Sequence, residues 1–420
     1  MKAAALTLYA FWRAQARARR LSSAEAVRDL QARRLRHFLD NVAPRAAAFT
    51  GMKGRPLTEF PVMDKSVLMS GFHRYNAPGI TSDQAWAAFE TTGRIGRHSV
   101  GASTGTSGNR GLYVISEAER YLWLGTLLAK ALPDAIRRAY RVAVMLPTSS
   151  RLYEAANETG RLALKFFDLK DGLDTLIPAV AKFAPDVIVA PPHALLALAR
   201  ADAALRPDAI FSGAEVLEMH DRKEIEARFG LTVREIYMAT EGLFGVACAH
   251  GTLHLCEDCV AFEWEDEGGL SKPLITDFTR RTQMMVRYRM NDLLQLSAAP
   301  CTCGSPLQAV SAIAGRLDDC FVLPGLSGQP ITITPDILRN AIVSADRRIS
   351  DFRLVQEGET ALRLALPPGF ADLLPAAEAS VQTLLNRLGA KASITAATER
   401  LTLLPGSKLR RIHRAWSPTR

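Results

Sequence analysis

Glycines and small hydroxyl side chains alternate over residues 98–116, between two short β-type runs. The glycines are Gly101, Gly105, Gly108 and Gly111, and the hydroxyls are Ser103, Thr104, Thr106 and Ser107. Glycine lets successive backbone N–H groups turn toward one anion, and hydroxyls add donors that complete its hydrogen-bond shell. The stretch predicts a polyphosphate-binding loop. Because it matches neither of the two best-known phosphate fingerprints, an ordinary surface turn is the alternative.

Three cysteines and a histidine form a second set of residues that could do chemistry. Cys248 and His254 lie six positions apart, and Cys301 and Cys303 follow after a β-rich stretch. Three thiolates and one imidazole suit a closed, tetrahedral structural zinc site. The spacing differs from the common C-x-x-C pattern, so free buried cysteines are the alternative. Further residues that could substitute in this set, or crowd it, are His250, Cys256 and Cys259.

Polar residues also follow two strand-like runs in the middle of the chain. Residues 212–215 come at the end of AIFSG, and Thr240 and Glu241 follow VREIYMA. Helical periodicity separates the strand-like runs, over residues 157–164, 171–183, 193–204 and 217–229. Strands that alternate with helices predict a parallel or mixed sheet covered on both faces, in which ligands bind beyond the carboxyl ends of the strands. Ser116 and Glu119 show the capping-box pattern of a helix start.

Length and composition predict an α/β protein with a large and a small unit. The 420 residues are 48% apolar and 23% charged, which is ordinary globular composition. We expect a large body of mixed sheets and helices over residues 1–316, and a small α+β cap over residues 317–420. The body begins with a helical segment of about 75 residues, in which periodicity predicts a helix over 21–50. After Gly245 the pattern predicts short strands, one of them over 283–288.

The charge distribution bears on partners and compartment. Net charge is +9, from 52 basic and 43 acidic residues, and residues 1–40 are rich in arginine. This segment could be a nucleic-acid or membrane-surface patch, but an amphipathic, solvated helix is the better interpretation. The first apolar run is too short for a signal peptide, and no run reaches the roughly 18 apolar residues of a membrane helix. Six cysteines in a chain of this length do not indicate a disulfide framework. We expect a cytoplasmic protein that neither inserts into a membrane nor binds nucleic acid, and the sequence leaves a homodimer open.

Six motifs occur together in a characteristic order. They are ASTGTSGNRG, SGAE, YMATEG, VRYRMNDL, GRLDD and LPGSKLRRI. In this order they resemble the signature motifs of the adenylate-forming superfamily, and in particular its phenylacetate–CoA ligase branch, which includes F390-synthetase-like and capsule-locus proteins. The Pro-rich segment PLTEFPVMDKSVLM is also similar to that branch. The resemblance extends over nearly the whole chain.

The resemblance implies roles for residues of the body. The loop Ser103, Thr104, Gly105, Thr106, Ser107 and Gly108 would hold the β- and γ-phosphates of ATP. Glu241, next to Thr240, would help to hold Mg²⁺, a hard cation that prefers oxygen ligands, whereas a solvated loop acid is the alternative. Gly213, Ala214 and Glu215 would line the adenine. Tyr237 would stack beside it, or would be a core aromatic residue.

The resemblance also implies roles toward the end of the chain. Asp292 would accept both ribose hydroxyls, although Met290 and Asn291 stand where the family usually has Thr-Gly. Arg316 would approach the ribose or a phosphate, and residues 318–319 would form a hinge between body and cap. Lys408 would meet the carboxylate and the α-phosphate, where a cation stabilises the developing charge. The alternatives are a charged surface turn for residues 316–319 and one more cation of a basic tail for Lys408.

The activity that the resemblance implies is ATP-dependent activation of a carboxylic acid. The product would be an acyl-adenylate, and coenzyme A would be the acceptor in the second step. The acyl group could instead pass to an amine or a carrier protein, or the enzyme could adenylylate its acceptor without CoA. A non-catalytic nucleotide-binding protein is the alternative from another class. Apolar residues around the expected pocket favour an aromatic or medium acyl acid. A further departure from the family is Asn109 and Arg110, where Lys or Arg followed by Pro is common.

Overall fold

The computed structural model describes residues 2–103, 110–146, 162–201, 203–346, 348–403 and 408–417. The predicted loop residues Thr104–Gly108 and most of the helix predicted over 157–164 therefore lie outside the described residues. The chain forms two compact units. The first comprises residues 1–266, 272–290 and 296–311, and the second comprises residues 267–271, 291–295 and 312–420.

The described α-helices lie in both units, and those within residues 117–229 alternate with strands, as the sequence predicts. They are α1 (Lys2–Arg20), α2 (Ala24–Asn41), α3 (Lys65–Ser70), α4 (Ser82–Glu90), α5 (Glu117–Ala131), α6 (Leu173–Phe183), α7 (Pro192–Arg200), α8 (Met219–Phe229), α9 (Pro335–Ala345) and α10 (Leu374–Leu388).

The strands of the first half of the chain are β1 (Arg94–Ile95), β2 (His98–Ala102), β3 (Leu112–Ser116), β4 (Tyr140–Leu146), β5 (Leu162–Asp168), β6 (Val187–Ala190), β7 (Ala209–Gly213), β8 (Val233–Ala239), β9 (Gly242–Ala247) and β10 (Leu253–Leu255). Those of the second half are β11 (Val260–Glu267), β12 (Leu270–Asp277), β13 (Tyr288–Arg289), β14 (Asp292–Leu296), β15 (Ala309–Arg316), β16 (Phe321–Pro324), β17 (Pro330–Ile333), β18 (Arg353–Gln356), β19 (Ala361–Leu366), β20 (Ser393–Thr398) and β21 (Ile412–Arg414).

A large mixed sheet organises the first unit. Its strand order among the described residues is β11-β12-β14-β15-β10-β9-β8-β7-β6-β4-β5, with β13 beside β12. Strands β4 to β8 pair in parallel, whereas β8 and β9 form an antiparallel hairpin. The register of that hairpin shifts between Tyr237 and Met238, where Phe244 of β9 is the extra residue. Parallel strands need crossover connections, and helices α6, α7 and α8 provide them. These helices pack on the sheet through a buried apolar cluster.

Helix α5 shows why the N-terminal segment packs where it does. Ser116 caps the helix and forms the predicted capping box with Glu119. The Glu119 carboxylate also accepts hydrogen bonds from the N–H groups of Arg281 (2.6 Å) and Thr282 (2.9 Å). A Cβ at Gly125 would lie 2.1 Å from the carbonyl oxygen of Thr7, so the absence of a side chain allows α1 to cross α5 closely. The N-terminal helices thus belong to the core of this unit.

The second unit has its own core. Strands β18 to β21 form a sheet in the order β20-β19-β18-β21, and β16 pairs with β17. Helices α9 and α10 contribute to a buried apolar cluster that includes Leu338, Leu354 and Leu385. The mixture of helices and strands in this unit agrees with the α+β class that the sequence predicts for this part of the chain.

Three sequence predictions of local structure are wrong. Residues 162–164, predicted as the end of a helix, lie in β5, where an alternating burial pattern is typical of a strand. The helix predicted over 21–50 ends at Asn41, shortly before Pro44. In the predicted strand 283–288, only Tyr288 is in a strand, because Arg287 has φ of 47° and breaks the extended backbone. No helix among the described residues has the length and hydropathy to span a membrane.

Candidate active site and metal centre

The carboxyl ends of three neighbouring parallel strands carry the polar residues of the candidate active site. His193 follows β6, residues 213–215 follow β7, and Thr240 and Glu241 follow β8. The sheet brings these segments together because β6, β7 and β8 are adjacent and parallel. This is the edge at which ligands bind in such sheets, as the sequence predicted.

Hydrogen bonds hold both oxygens of the Glu241 carboxylate. Thr240 Oγ1 donates to Glu241 Oε2 at 2.8 Å, and Tyr288 Oη donates to Glu241 Oε1 at 2.9 Å. Each carboxylate oxygen has a second lone pair, so the group can still bind a cation such as Mg²⁺. The carboxylate is thus oriented before any ligand binds.

Arg280 fixes the backbone that carries Glu241. Its Nη2 donates to the carbonyl oxygens of Thr240 at 3.0 Å and Glu241 at 2.6 Å, and its Nε lies 3.6 Å from Asp277 Oδ2. The Arg280 side chain is only 11% exposed. A buried guanidinium that donates to two successive carbonyls restricts the turn between β8 and β9. The extra residue Phe244 lies three positions after Glu241, and β-bulges of this kind are common near active sites.

The residues predicted to line an adenine have close protein neighbours. Glu215 Oε2 lies 2.8 Å from His193 Nδ1, and its side chain is 5% exposed. Ala214 has φ of 69°, a conformation that is strained for a residue with a Cβ. The ring of Tyr237 is buried and packs against Phe244 at 5.3 Å between centroids. The packing of Tyr237 agrees with the core alternative for this residue, and its stacking on a base stays a prediction.

The base of the glycine-rich loop is described at both ends. Ser103 N–H donates to the Gly111 carbonyl at 2.7 Å, and Gly111 N–H donates to Ser103 Oγ at 2.8 Å. Arg110 donates to the Ser103 carbonyl and stacks on Trp86 and Phe89 of α4. Arg110 therefore braces the loop where many family members have proline.

Lys65 lies beside the same loop base. Its Cε would be 3.2 Å from a Cβ placed on Gly111, so the aliphatic part of the side chain covers this glycine. Lys65 belongs to the Pro-rich segment. Backbone hydrogen bonds join Met63 of this segment to Arg287 and Arg289. The segment thus positions a lysine next to the candidate phosphate loop.

In the second unit, Asp292, Arg316 and Asp318 lie close together. Arg316 Nε is 3.9 Å from Asp292 Oδ1, and Arg316 Nη2 is 3.9 Å from Asp318 Oδ2. Asp319 is buried and binds Arg410 and His413, the latter with its Nδ1 at 3.2 Å from Asp319 Oδ1. Asp319 therefore ties the segment after Lys408 to the start of this unit. Lys408 itself is exposed, and the four residues before it lie outside the described residues.

The four predicted metal ligands converge in the first unit. The ligand atoms of Cys248, His254, Cys301 and Cys303 all lie within 4.8 Å of one another. Cys248 Sγ is 3.9 Å from Cys301 Sγ, and Cys303 Sγ is 3.3 Å from His254 Nε2. His254 Nδ1 lies 3.1 Å from the Leu307 carbonyl oxygen, to which it donates in the tautomer that leaves Nε2 free to bind a metal.

The chemistry of these donors fits a divalent cation. Hydrogen bonds from Thr252 and from the Cys303 N–H lower the pKa of the Cys301 thiol to about 5. Burial and the neighbouring thiols raise the pKa of Cys303 to about 11. Adjacent thiolates repel each other, and a cation between them removes that repulsion. By contrast, burial strongly raises the pKa values of Cys256 and Cys259, which lie beside the Lys130–Asp258 ion pair and are not part of the cluster.

Comparisons with known proteins identify distant sequence relatives. No family model matches the sequence. The phenylacetate–coenzyme A ligase of Pseudomonas putida is 24% identical over 356 residues, which are 76% of this chain and 77% of that protein. The enzyme of the same name from Escherichia coli is 28% identical over 185 residues, 38% of this chain and 41% of that protein.

Solved structures share the fold. A 2-hydroxyisobutyryl-CoA ligase in the postadenylation state, in complex with R3-HIB-AMP, aligns with a TM-score of 0.69 and 18% identity over 94% of this chain and 90% of the other. The anthranilate CoA ligase AuaEII, in complex with anthranoyl-AMP, aligns with a TM-score of 0.51 and 13% identity over 73% of this chain and 64% of the other.

The chain thus shares its fold with acyl-CoA ligases that form acyl-adenylates. Its sequence is similar to the phenylacetate–CoA ligases.

Sequence reasoning missed four residues of the site: His193, Arg280, Tyr288 and Lys65. Tyr288 lies in the motif VRYRMNDL, and Lys65 lies in the Pro-rich segment PLTEFPVMDKSVLM. Arg280 and His193 carry no motif signal, because their roles depend on which segments the sheet brings together.

Proposed function

We propose that the protein is an acid–CoA ligase. It uses ATP to convert a carboxylic acid to an acyl-adenylate and then transfers the acyl group to coenzyme A. The observation that supports this function most strongly is the oriented Glu241 carboxylate at the carboxyl ends of the parallel strands. The phenylacetate–CoA ligases among its relatives favour an aromatic or medium acyl acid.

In the first step an oxygen of the acid attacks the α-phosphorus and pyrophosphate leaves. Such chemistry depends mainly on positioning and charge stabilisation. We assign the loop from Ser103 to Gly108 to the phosphates, and residues 213–215 with Tyr237 to the adenine. Glu241 and Thr240 would hold Mg²⁺, which neutralises the charge of the leaving group.

Residues of the second unit would complete the reaction. Asp292 would bind the ribose hydroxyls, Arg316 would approach the ribose or a phosphate, and Lys408 would stabilise charge at the carboxylate and α-phosphate. We further propose that residues 317–420 act as a mobile cap with its hinge at 318–319, because the family alternates between two half-reactions.

We also propose a structural zinc ion at Cys248, His254, Cys301 and Cys303. The convergence of four ligand atoms within 4.8 Å and the orientation of His254 support this proposal. Zinc would tie the end of β9 to the loop around Cys301 and contribute folding free energy. Metal analysis of the purified protein should find about one zinc per chain, and Cys303→Ser should lower both zinc content and melting temperature. Wild-type-like stability without bound metal would contradict the proposal.

The reaction would take place in the cytoplasm, where ATP and CoA are available and thiols stay reduced. The described cysteines are all free, which agrees with a reducing compartment.

The decisive experiment measures pyrophosphate release with ATP and a panel of carboxylic acids, together with mass detection of the adenylate and its product. An acid–CoA ligase releases pyrophosphate only with its acid and yields an acyl-CoA when CoA is added. Transfer to an amine or a carrier protein would give the adenylate but no thioester of CoA. ATP binding without acid-dependent pyrophosphate release would indicate a non-catalytic nucleotide-binding protein. Lys408→Ala should abolish adenylate formation while ATP still binds.

A further inference from the structure

A cavity in the first unit has no role in the proposed reaction. Its volume is about 380 Å³, and it opens where β2 begins and β3 ends. Residues that line it include Arg45, Arg97, His98, Glu117, Arg281 and Thr282. Arg45 and Arg97 are exposed and Arg281 is half-buried, so three guanidinium groups line a cavity that a small anion can enter from solvent.

Two carboxylates, Glu119 and Asp277, offset part of the charge of Arg281 from beyond ion-pair distance. The carboxylate in the cavity wall, Glu117, forms an ion pair with Arg94. Within the part of the chain that the structure describes, no carboxylate forms an ion pair with Arg45, Arg97 or Arg281. Arg281 uses Nη1 to donate to the carbonyl oxygens of Phe278 and Arg280, at 3.1 and 2.9 Å. Its remaining guanidinium donors are left for a partner in the cavity.

Burial and neighbouring charges both act on the pKa of Arg281. Burial lowers its pKa, and the positive charge of Arg45 lowers it further, against the opposite effect of Glu119 and Asp277. An anion in the cavity would offset the repulsion between the two arginines.

The backbone adds donors to the same cavity. Glu117 and Ala118 line it and are the first two residues of the 15-residue helix α5. Their N–H groups have no acceptor inside the helix, because the first turn lacks preceding carbonyls. The partial positive charge of a helix N-terminus adds to the field of the arginines.

The cavity is separate from the predicted phosphate loop. His98 pairs with Ser116 at the cavity end of the β2–β3 hairpin, and Ala102 pairs with Leu112 at the loop end. The two ends of β2 are four residue steps of extended strand apart, a distance of about 13 Å. One phosphate group cannot contact both.

We propose that this cavity is a second anion site, which binds a phosphate group through Arg45, Arg97 and Arg281. Guanidinium groups match the geometry of phosphate oxygens and form charge-assisted hydrogen bonds with them. The phosphate could belong to the nucleotide end of the CoA co-substrate or to a separate phosphorylated metabolite. Both sources present the same chemistry to the arginines.

Calorimetric titration with inorganic pyrophosphate, without divalent cations, tests the site directly. The double variant Arg45→Gln/Arg97→Gln should weaken one pyrophosphate-binding event by about tenfold or more, the effect of losing charge-assisted hydrogen bonds. The matched control Arg36→Gln removes an exposed arginine of α2 and should bind within twofold of wild type. Glu117→Gln should bind more tightly, because it removes a carboxylate from the cavity wall.

Equal affinity in the wild type and the double variant would overturn the proposal, and so would equal weakening in Arg36→Gln. A comparison of CoA with 3′-dephospho-CoA then separates the two sources. A preference for CoA that disappears in the double variant identifies the co-substrate, and a preference that persists identifies a separate metabolite. The binding measurement needs no turnover, so absence of ligase activity would refute the proposed function without affecting this result.

Discussion

Glu241 and Arg316 are both assigned to one nucleotide, yet their surroundings differ. Glu241 accepts hydrogen bonds of 2.8 and 2.9 Å, and its backbone is held by the buried Arg280. Arg316 is 52% exposed, and its distances of 3.9 Å to Asp292 and Asp318 exceed a hydrogen bond. The protein therefore orients Glu241 in advance, whereas the ion pairs of Arg316 are long and exposed. If the second unit acts as a mobile cap, as we propose, such a difference is what its movement would require.

The largest effect should come from Glu241 itself. Glu241→Gln keeps the shape of the side chain but removes its charge, so acid-dependent pyrophosphate release should fall by about 10²–10³-fold. Glu59→Gln, which removes an exposed carboxylate paired with Arg55, is the matched control and should keep wild-type rates. Comparable loss in both variants would mean that Glu241 has no special role.

Arg280 should be the next most important residue. Arg280→Met leaves two carbonyl oxygens without their donor, so the rate should fall about 30-fold, which corresponds to ~2 kcal/mol. We expect the half-saturating Mg²⁺ concentration to rise as well, because Arg280 acts through the position of Glu241. Arg55→Met is the control for arginine removal at the surface. Normal Mg²⁺ dependence in Arg280→Met would contradict a positioning role.

Tyr288 contributes a single hydrogen bond to the same carboxylate. Tyr288→Phe should lower the rate about fivefold, for ~1 kcal/mol, with the larger part of the change in Mg²⁺ dependence. The ring remains in place in this variant, so the melting temperature should change little. A full loss of activity would show that the hydroxyl does more than orient Glu241.

Replacement of Arg316 should affect ATP binding more than stability, because its ion pairs are long and exposed. Arg316→Lys should raise the KM for ATP about threefold and leave the melting temperature unchanged, because exposed ion pairs contribute only ~0–1 kcal/mol. A clear drop in melting temperature would remove the contrast with Glu241.

The smallest effect concerns a surface ion-pair cluster that contributes stability alone. Arg289 and Lys272 lower the pKa of Glu265 from 4.5 to about 2. As the pH falls, Glu265 is protonated in the unfolded chain before it is protonated in the folded protein. The stability from the cluster is therefore complete above pH 4.5 and disappears as the pH falls toward 2. We expect about 0.2–1 kcal/mol, given the exposure of the group. Urea unfolding at pH 5 and pH 3 should show a weaker pH dependence for Glu265→Gln than for the wild type.

The sequence predicted much of the fold where local signals were strong. AIFSG and VREIYMA form β7 and β8 with the predicted bounds, because buried parallel strands read as short apolar runs ended by glycine or polar residues. The capping box of Ser116 and Glu119 also formed as predicted. Local signals failed at residues 283–288. Their β-branched and apolar side chains suggested a strand, but these residues form a buried loop.

The site was less accessible to sequence reasoning than the fold. The three cysteines and the histidine that converge could be named in advance, because few residue types are suited to bind zinc. Arg280 and His193 could not, since arginine and histidine are common surface residues. Their importance depends on which carbonyl or carboxylate the folded chain places beside them.

Strand β9 connects the candidate active site to the candidate metal centre. It starts directly after Glu241 and ends directly before Cys248, a length of six residues. If zinc binds at Cys248, as proposed, its removal would free the end of this strand that lies opposite Glu241. Activity measured in excess Mg²⁺ would then fall in a zinc-depleted preparation and return when zinc was restored.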